Sequence, residues 1–172
     1  MNKETTCCFT GPRPERLPAF GDPKSEEIRA LERSLQKAIR NAYDDGYRFF
    51  MSGMADGFDL MAAEAVLALK KELDGICLVA VFPYADAASR HPKAVRDRIC
   101  RILSRCDLSL SLQPAYSTGC EFRRNVYMVD ASFRVIGYYT GLSHGTAHCW
   151  HYAGQNHLEL INLYGGEVNE KI

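Results

Sequence analysis

The chain has 172 residues, 47% hydrophobic and 24% charged, a mix that fits one globular domain with a sizeable core. Lys+Arg and Asp+Glu number 21 each, so the formal net charge is zero, which argues against a nucleic-acid binder relying on a general basic field. Seven cysteines, an odd count with no Cys-x-x-Cys pair, argue against both a disulfide framework and a zinc ribbon and point to a reducing cytoplasm.

Residues 1–6 are polar and hold no apolar signal core, and the longest apolar run, 78–82, is far too short to span a bilayer, so no membrane partner is expected. Residues 5–10 read as a first strand. Residues 11–21 are a loop with three prolines, after which Asp22-Pro23 reads as an N-cap with proline at the first helical position. The helix behind it places Ile28, Leu31, Leu35, Ala38, Ile39 and Ala42 on one face, and Gly46 is its stop. Residues 48–52 form the second strand. Residues 59–73 form a helix apolar nearly all round, which predicts near-complete burial.

The continuous apolar run 76–82 suits a strand of a parallel sheet covered on both faces. A loop and a basic helix, about 92–104, follow. Residues 108–112 alternate like an edge-proximal strand. Then come a helix at 119–130, a strand at 134–139, a helix at 146–155, a strand at 158–163 and a polar tail from 165. This alternation predicts an α/β fold: a mostly parallel sheet of about six strands with helices on both faces, in one domain spanning 1–172.

Three strands run into glycine-containing turns before helices: Thr10-Gly11-Pro12-Arg13-Pro14, Ser52-Gly53-Met54-Ala55-Asp56-Gly57, and Gly141-Leu142-Ser143-His144-Gly145-Thr146. Free N–H groups at a helix start favour an anion such as phosphate, and three such turns point to one crevice at the strand C-termini. In the first, Arg13 between two prolines is either a phosphate fork held at low entropic cost or a solvated loop arginine.

In the second, Gly53 and Gly57 permit close approach of a ligand, and Asp59 is a ribose acceptor, an acid complementing the helix dipole, or both. The spacing is not Gly-x-Gly-x-x-Gly, and there is no Walker Gly-Lys-Ser/Thr. Glu64 is the lone charge between Asp59 and Lys70; if buried it needs a partner and is a functional candidate, and if it faces solvent it is an ordinary surface charge. It lies about 140° around the helix from Asp59, so the two acids are not a same-face pair.

Arg123, Arg124 and Asn125 follow Gly119 at the start of a helix. There two arginines oppose the macrodipole unless an acid (Glu121) or a ligand phosphate is near. In the third turn, Ser143 and Thr146 add hydroxyls to the N–H groups of Gly141 and Gly145. His144, His148 and His151 have the spacing of a metal-binding helix face, but His144 is expected to precede the helix, and no metal is assigned. Cys149 lacks a base on its own face and is not read as a nucleophile.

Residues 8–14, the run Ser52-Gly53-Met54-Ala55-Asp56-Gly57-Phe58-Asp59-Leu60 with Ala62-Ala63-Glu64, and Tyr116-Ser117-Thr118-Gly119 with Arg123-Arg124-Asn125-x-Tyr127-Met128-Val129-Asp130 resemble the YpsA-like family. That family belongs to the SLOG superfamily, with the Smf/DprA and Lonely Guy proteins. The resemblance implies a Rossmann-like domain binding a nucleotide or derivative, such as ADP-ribose or an NAD relative, at the strand C-termini. It also implies a sensor or regulatory role, no required cofactor, and a possible homodimer.

Site residues on this basis are Thr10, Gly11, Arg13, Ser52, Gly53, Met54, Gly57, Asp59, Glu64, Gly119, Arg123, Arg124, Asn125, Gly141, Ser143, Gly145 and Thr146. Two departures matter: Pro12 stands where the family commonly has histidine, and Cys149 stands where Lonely Guy enzymes carry their catalytic glutamate. The second departure counts against a Lonely Guy type hydrolase and moves the reading towards binding; the alternatives are a nucleotide N-glycosidic-bond hydrolase, with Glu64 or Asp59 as its acid, and a protein-interaction module with a vestigial pocket.

Overall fold

The computed structural model describes residues 1–142 and 144–165. Six strands alternate with five α-helices: β1 Thr6–Thr10, α1 Glu26–Asp44, β2 Phe49–Ser52, α2 Phe58–Leu69, β3 Cys77–Phe82, α3 Lys93–Leu103, β4 Leu108–Ser111, α4 Cys120–Asp130, β5 Arg134–Gly137, α5 His144–Gln155 and β6 Glu159–Asn162. All strand pairs are parallel, in the order β4-β3-β2-β1-β5-β6. The chain adds strands outward from β1 to β4, then returns to the other side of β1 for β5. The sheet therefore reverses its order between β1 and β5.

The period-two pleat sends alternate side chains to two cores. Cys7, Phe9, Phe50, Leu78 and Ala80 pack under α1, α2 and α3. Cys8, Met51, Val79, Val81 and Val135 pack under Met128 and Val129 of α4 and Cys149 and Ala153 of α5. The predicted stripe of α1 is the buried one. Ten of the twelve residues of α2 are buried, each large apolar side chain contributing roughly 1.5–3 kcal/mol. β4 is an edge strand and largely exposed, as its alternation suggested.

Several boundaries differ from the sequence reading. α1 starts at Glu26, capped by Ser25 Oγ, which accepts from Ile28 N at 3.2 Å. Asp22 instead closes its own turn, accepting from Lys24 N at 2.9 Å. α2 stops at Leu69, and the segment beyond it tightens into a turn. β5 ends at Gly137 because the side chain of Asn162 replaces the ladder: its Oδ1 accepts from Tyr139 N and its Nδ2 donates to Tyr139 O. α5 begins at His144, two residues earlier than expected, so Gly145 and Thr146 lie inside its first turn. The tail from 166 and Ser143 lie outside the described residues.

At the opposite end of the sheet, Arg134 is buried between Asp45 and Glu159 and lies 4.4 Å over the Tyr47 ring. This cluster ties α1, β5 and β6 together far from the strand C-termini.

Candidate functional site

The loops after β1 and β2 and the first turns of α4 and α5 meet where the sheet reverses its order, the usual ligand crevice of an open α/β sheet. Two adjoining lobes open there, of about 170 and 150 Å³. The larger is lined by Thr10, Gly11, Arg13, Asp59, Asn125 and Thr146, among others. The smaller runs toward β3, past Gly53, Met54, Phe82, Tyr84, Arg90 and His91. Arg13, Ala55, Glu121 and Arg124 line both.

The second glycine turn is built for its own backbone. Gly57 has φ +100°, and a Cβ there would stand 2.5 Å from Pro12 O. Met54 also takes a left-handed conformation, φ 55°, with its N–H on Ser52 Oγ at 3.2 Å. Ser52 Oγ in turn donates to Asp59 O at 2.8 Å. Gly53 has an ordinary backbone, but a Cβ would overlap the Arg124 guanidinium, which donates to Gly53 O.

Arg124 is 6% exposed and pairs with Asp59 Oδ2 at 3.9 Å. Burial nonetheless pushes the Asp59 carboxyl above its ordinary range. The Arg124 charge, the Ala55 N–H and the Arg13 charge each pull the other way and do not outweigh it. Arg124 Nε donates to Asn125 Oδ1 at 2.9 Å, and Asn125 Nδ2 reaches Gly145 O at 3.4 Å. The arginine of α4 is thereby fixed between the β2 loop and the start of α5. Thr146 is 3% exposed and lines the larger lobe, and its Oγ1 has no hydrogen-bond partner among the described residues.

The structure separates residues that the sequence reading grouped. The loop after β1 does not start an α-helix: Pro14–Arg16 is a short 3-10 turn, and the Pro12 carbonyl accepts the Phe58 N–H at 3.1 Å, capping α2. Gly11 is needed because a Cβ would overlap the Phe58 ring. Ser52 is fully buried and lines neither lobe. Gly57 and Glu64 face a different groove, with Pro14, Met61 and Arg98.

Glu64 is not buried as the apolar helix suggested. Its side chain is 45% exposed and holds a two-pronged pair with Arg98 of α3 at 2.8 and 2.7 Å. Arg123 turns from the crevice to brace the loop before α4, donating to Thr118 O, Gln113 Oε1 and Ser117 Oγ. Gly119, φ +78°, caps α4, and Gly141, φ +88°, precedes α5; neither lines a lobe. Ser143 lies outside the described residues.

Cys149 is buried under the larger lobe, its thiol pushed up to about 11 by burial against a smaller opposing hydrogen bond from Thr10. It is a protonated packing group, not a substitute for an acid. Among the described residues no group of three His, Cys, Asp or Glu side chains stands together as a metal site. Among the described residues no helix is long and apolar enough to cross a membrane. Glu121 and residues between Phe82 and His91 also line the lobes and were not among the residues expected there. Their signal was position: both begin at the same sheet edge as the glycine turns.

A family model described as the YspA SLOG family (YpsA) matches residues 7–159, and the chain belongs to this family. No curated protein matches the chain. Among solved structures, DNA processing protein A from Helicobacter pylori, described for its single-stranded DNA binding mode, superposes with TM-score 0.61 at 17% identity. That match covers 92% of this chain and 64% of the other. DNA processing protein A (DprA) from Streptococcus pneumoniae gives TM-score 0.66 at 16% identity, covering 98% of this chain and 53% of the other. At these identities the fold alone is shared, a Rossmann-like α/β sheet. This chain spans less than two thirds of either relative's length.

Proposed function

We propose that this YspA SLOG protein binds the phosphate of a nucleotide or nucleotide-derived ligand, of ADP-ribose or NAD type, and acts as a sensor or regulatory domain. The observation that carries the reading is Thr146: a buried hydroxyl without a partner among the described residues, in the first turn of a twelve-residue helix, on a residue that lines a crevice with two arginines. A bare buried hydroxyl costs about 1–3 kcal/mol, and a phosphate oxygen supplies the missing acceptor. Arg13 and Arg124 supply charge, and the helix start supplies N–H groups and dipole. A micromolar ligand needs about 8 kcal/mol, which a few charge-assisted bonds at roughly 1.5–3 kcal/mol each, with burial of a base, can reach.

The test is thermal unfolding against inorganic phosphate, AMP, ADP-ribose and NAD. A ligand at 100 times its dissociation constant adds ~2.7 kcal/mol. At roughly 2–4 °C per kcal/mol for a chain of this size, that is a rise of about 5–11 °C, smaller in Arg13→Ala. No shift with any compound would sink the reading and favour an interaction module. A single-stranded oligonucleotide belongs in the panel because of what the H. pylori relative binds.

One observation favours a second reading, N-glycosidic hydrolysis. Asp59 lines the larger lobe, and burial pushes its carboxyl pKa up, the direction of shift a general acid needs. Release of free base from a bound nucleotide, abolished in Asp59→Asn, would establish it.

A further inference from the structure

We infer that the smaller lobe is a nucleobase subsite continuous with the anion subsite, so that the ligand is a ribonucleoside 5′-phosphate rather than a free phosphate or phosphosugar. This rests on the phosphate reading above. The two lobes share Arg13 and Arg124, so a group anchored at Thr146 has an open path toward β3. The character of the walls changes along that path. The inner lobe is polar, whereas the outer one has an apolar floor of Met54, Phe82 and Pro83.

Arg90 and Tyr84 line this smaller lobe, and Tyr116, beside it, backs the Arg90 plane. The Arg90 guanidinium lies 4.4 Å over the Tyr116 ring and 5.5 Å from that of Tyr84, and the two tyrosines meet edge to face at 5.7 Å. Among the described residues Arg90 pairs with no carboxylate, so its face is held by rings and not by charge. A flat heterocycle stacks on such a surface.

Residues that fell outside the anion site support this surface. Arg123 and Gln113 brace the loop that carries Tyr116, through Ser117 and Ala115. Ala85 N donates to Gln113 O at 3.0 Å, joining that loop to the one carrying Tyr84. Arg96 donates to His91 O at 3.0 Å and fixes the far wall. Burial and the Arg13 charge keep the His91 ring toward its neutral form, able to accept as well as donate. Glu121 stands where the lobes join, an exposed carboxylate able to accept from sugar hydroxyls.

The test is calorimetric titration of the full chain with AMP, GMP, CMP, UMP, ribose 5-phosphate and inorganic phosphate. Wild type should bind at least one nucleotide about tenfold or more tighter than ribose 5-phosphate. Arg90→Ala should remove most of that preference and leave ribose 5-phosphate within about twofold of wild type. Arg90→Lys keeps the charge but not the plane and should behave like Arg90→Ala. Ribose 5-phosphate binding as tightly as every nucleotide, or Arg90→Lys matching wild type, overturns the base subsite while the phosphate reading stands. If none of these binds, the base subsite falls, and the phosphate reading falls with it when ADP-ribose and NAD also leave the melting temperature unchanged. Arg90 and Tyr116 are exposed, and unchanged melting of the variants confirms that the fold is intact.

Discussion

Thr146→Val should make the protein more stable and its ligand weaker. Valine keeps the shape of threonine and replaces a buried hydroxyl that has no partner among the described residues. Helix propensity changes little, since both are β-branched and the site is in the first turn. The gain is the desolvation penalty no longer incurred, about 1–2 kcal/mol, or roughly 2–8 °C in melting temperature. The loss on binding is one hydrogen bond to a charged acceptor, about 1.5–3 kcal/mol, or roughly 10- to 150-fold in dissociation constant. Urea unfolding of the free protein gives the first number and calorimetry with the tightest nucleotide the second. Thr146→Ser restores the hydroxyl and should recover binding. A valine variant that is destabilised by 1 kcal/mol or so, or that binds phosphate compounds as wild type does, refutes the reasoning, because the hydroxyl would then have a partner in the fold or no role with the ligand.

Gly53→Ala needs no unusual backbone, so its cost is steric: the new methyl group overlaps the Arg124 guanidinium and stands 2.7 Å from Asp59 Oδ2. The expected destabilisation is about 2–4 kcal/mol by denaturant unfolding, and it should fall by about half in an Arg124→Ala background; an unchanged cost there would mean the clash lies elsewhere. Glu64→Gln should change stability by no more than about 1 kcal/mol and leave ligand affinity within experimental error, since the pair with Arg98 is solvent-exposed and outside the crevice. A large loss of binding would return Glu64 to the site. With iodoacetamide near pH 8, exposed Cys100 should react in the native protein, while Cys7, Cys8 and Cys149 stay unlabelled until urea is added; native labelling of Cys149 would contradict its burial and raised pKa.

The architecture was readable because each signal was redundant. The apolar face of α1, the run at β3 and the alternation of strand with helix all pointed to one parallel sheet, and a wrong cap at Asp22 changed none of it. The side chains of α2 were harder. A helix that is apolar nearly all round has no periodicity to say where its outer edge lies. In the fold that edge is a thin stripe, Glu64 and Ala68 one turn apart, and the lone charge occupies it. Expecting the helix to be buried was sound; whether its one long charged residue lay inside or at the solvent edge stayed open in the sequence, and in the fold Glu64 takes that edge and pairs with Arg98.

The glycines make the same point about the site. Sequence shows that a residue lacks a side chain but not what would have collided with it. Gly11 makes room for Phe58, Gly57 for the Pro12 carbonyl, and Gly53 for Arg124. A Cβ at Gly145 meets nothing within 4 Å. Three of the six glycines expected at the site are thus filled by the protein itself, and they serve the crevice indirectly: they let α2 pack against the β1 loop and bring a buried arginine under the β2 turn. The position left open is at the start of α5, beside the unpaired hydroxyl of Thr146. Among the described residues, free space, a hydroxyl without a partner and a helix N-terminus coincide there and at neither of the other two turns, so the three turns that looked equivalent in sequence divide into two that build the wall and one that is left open, where the proposed ligand would sit.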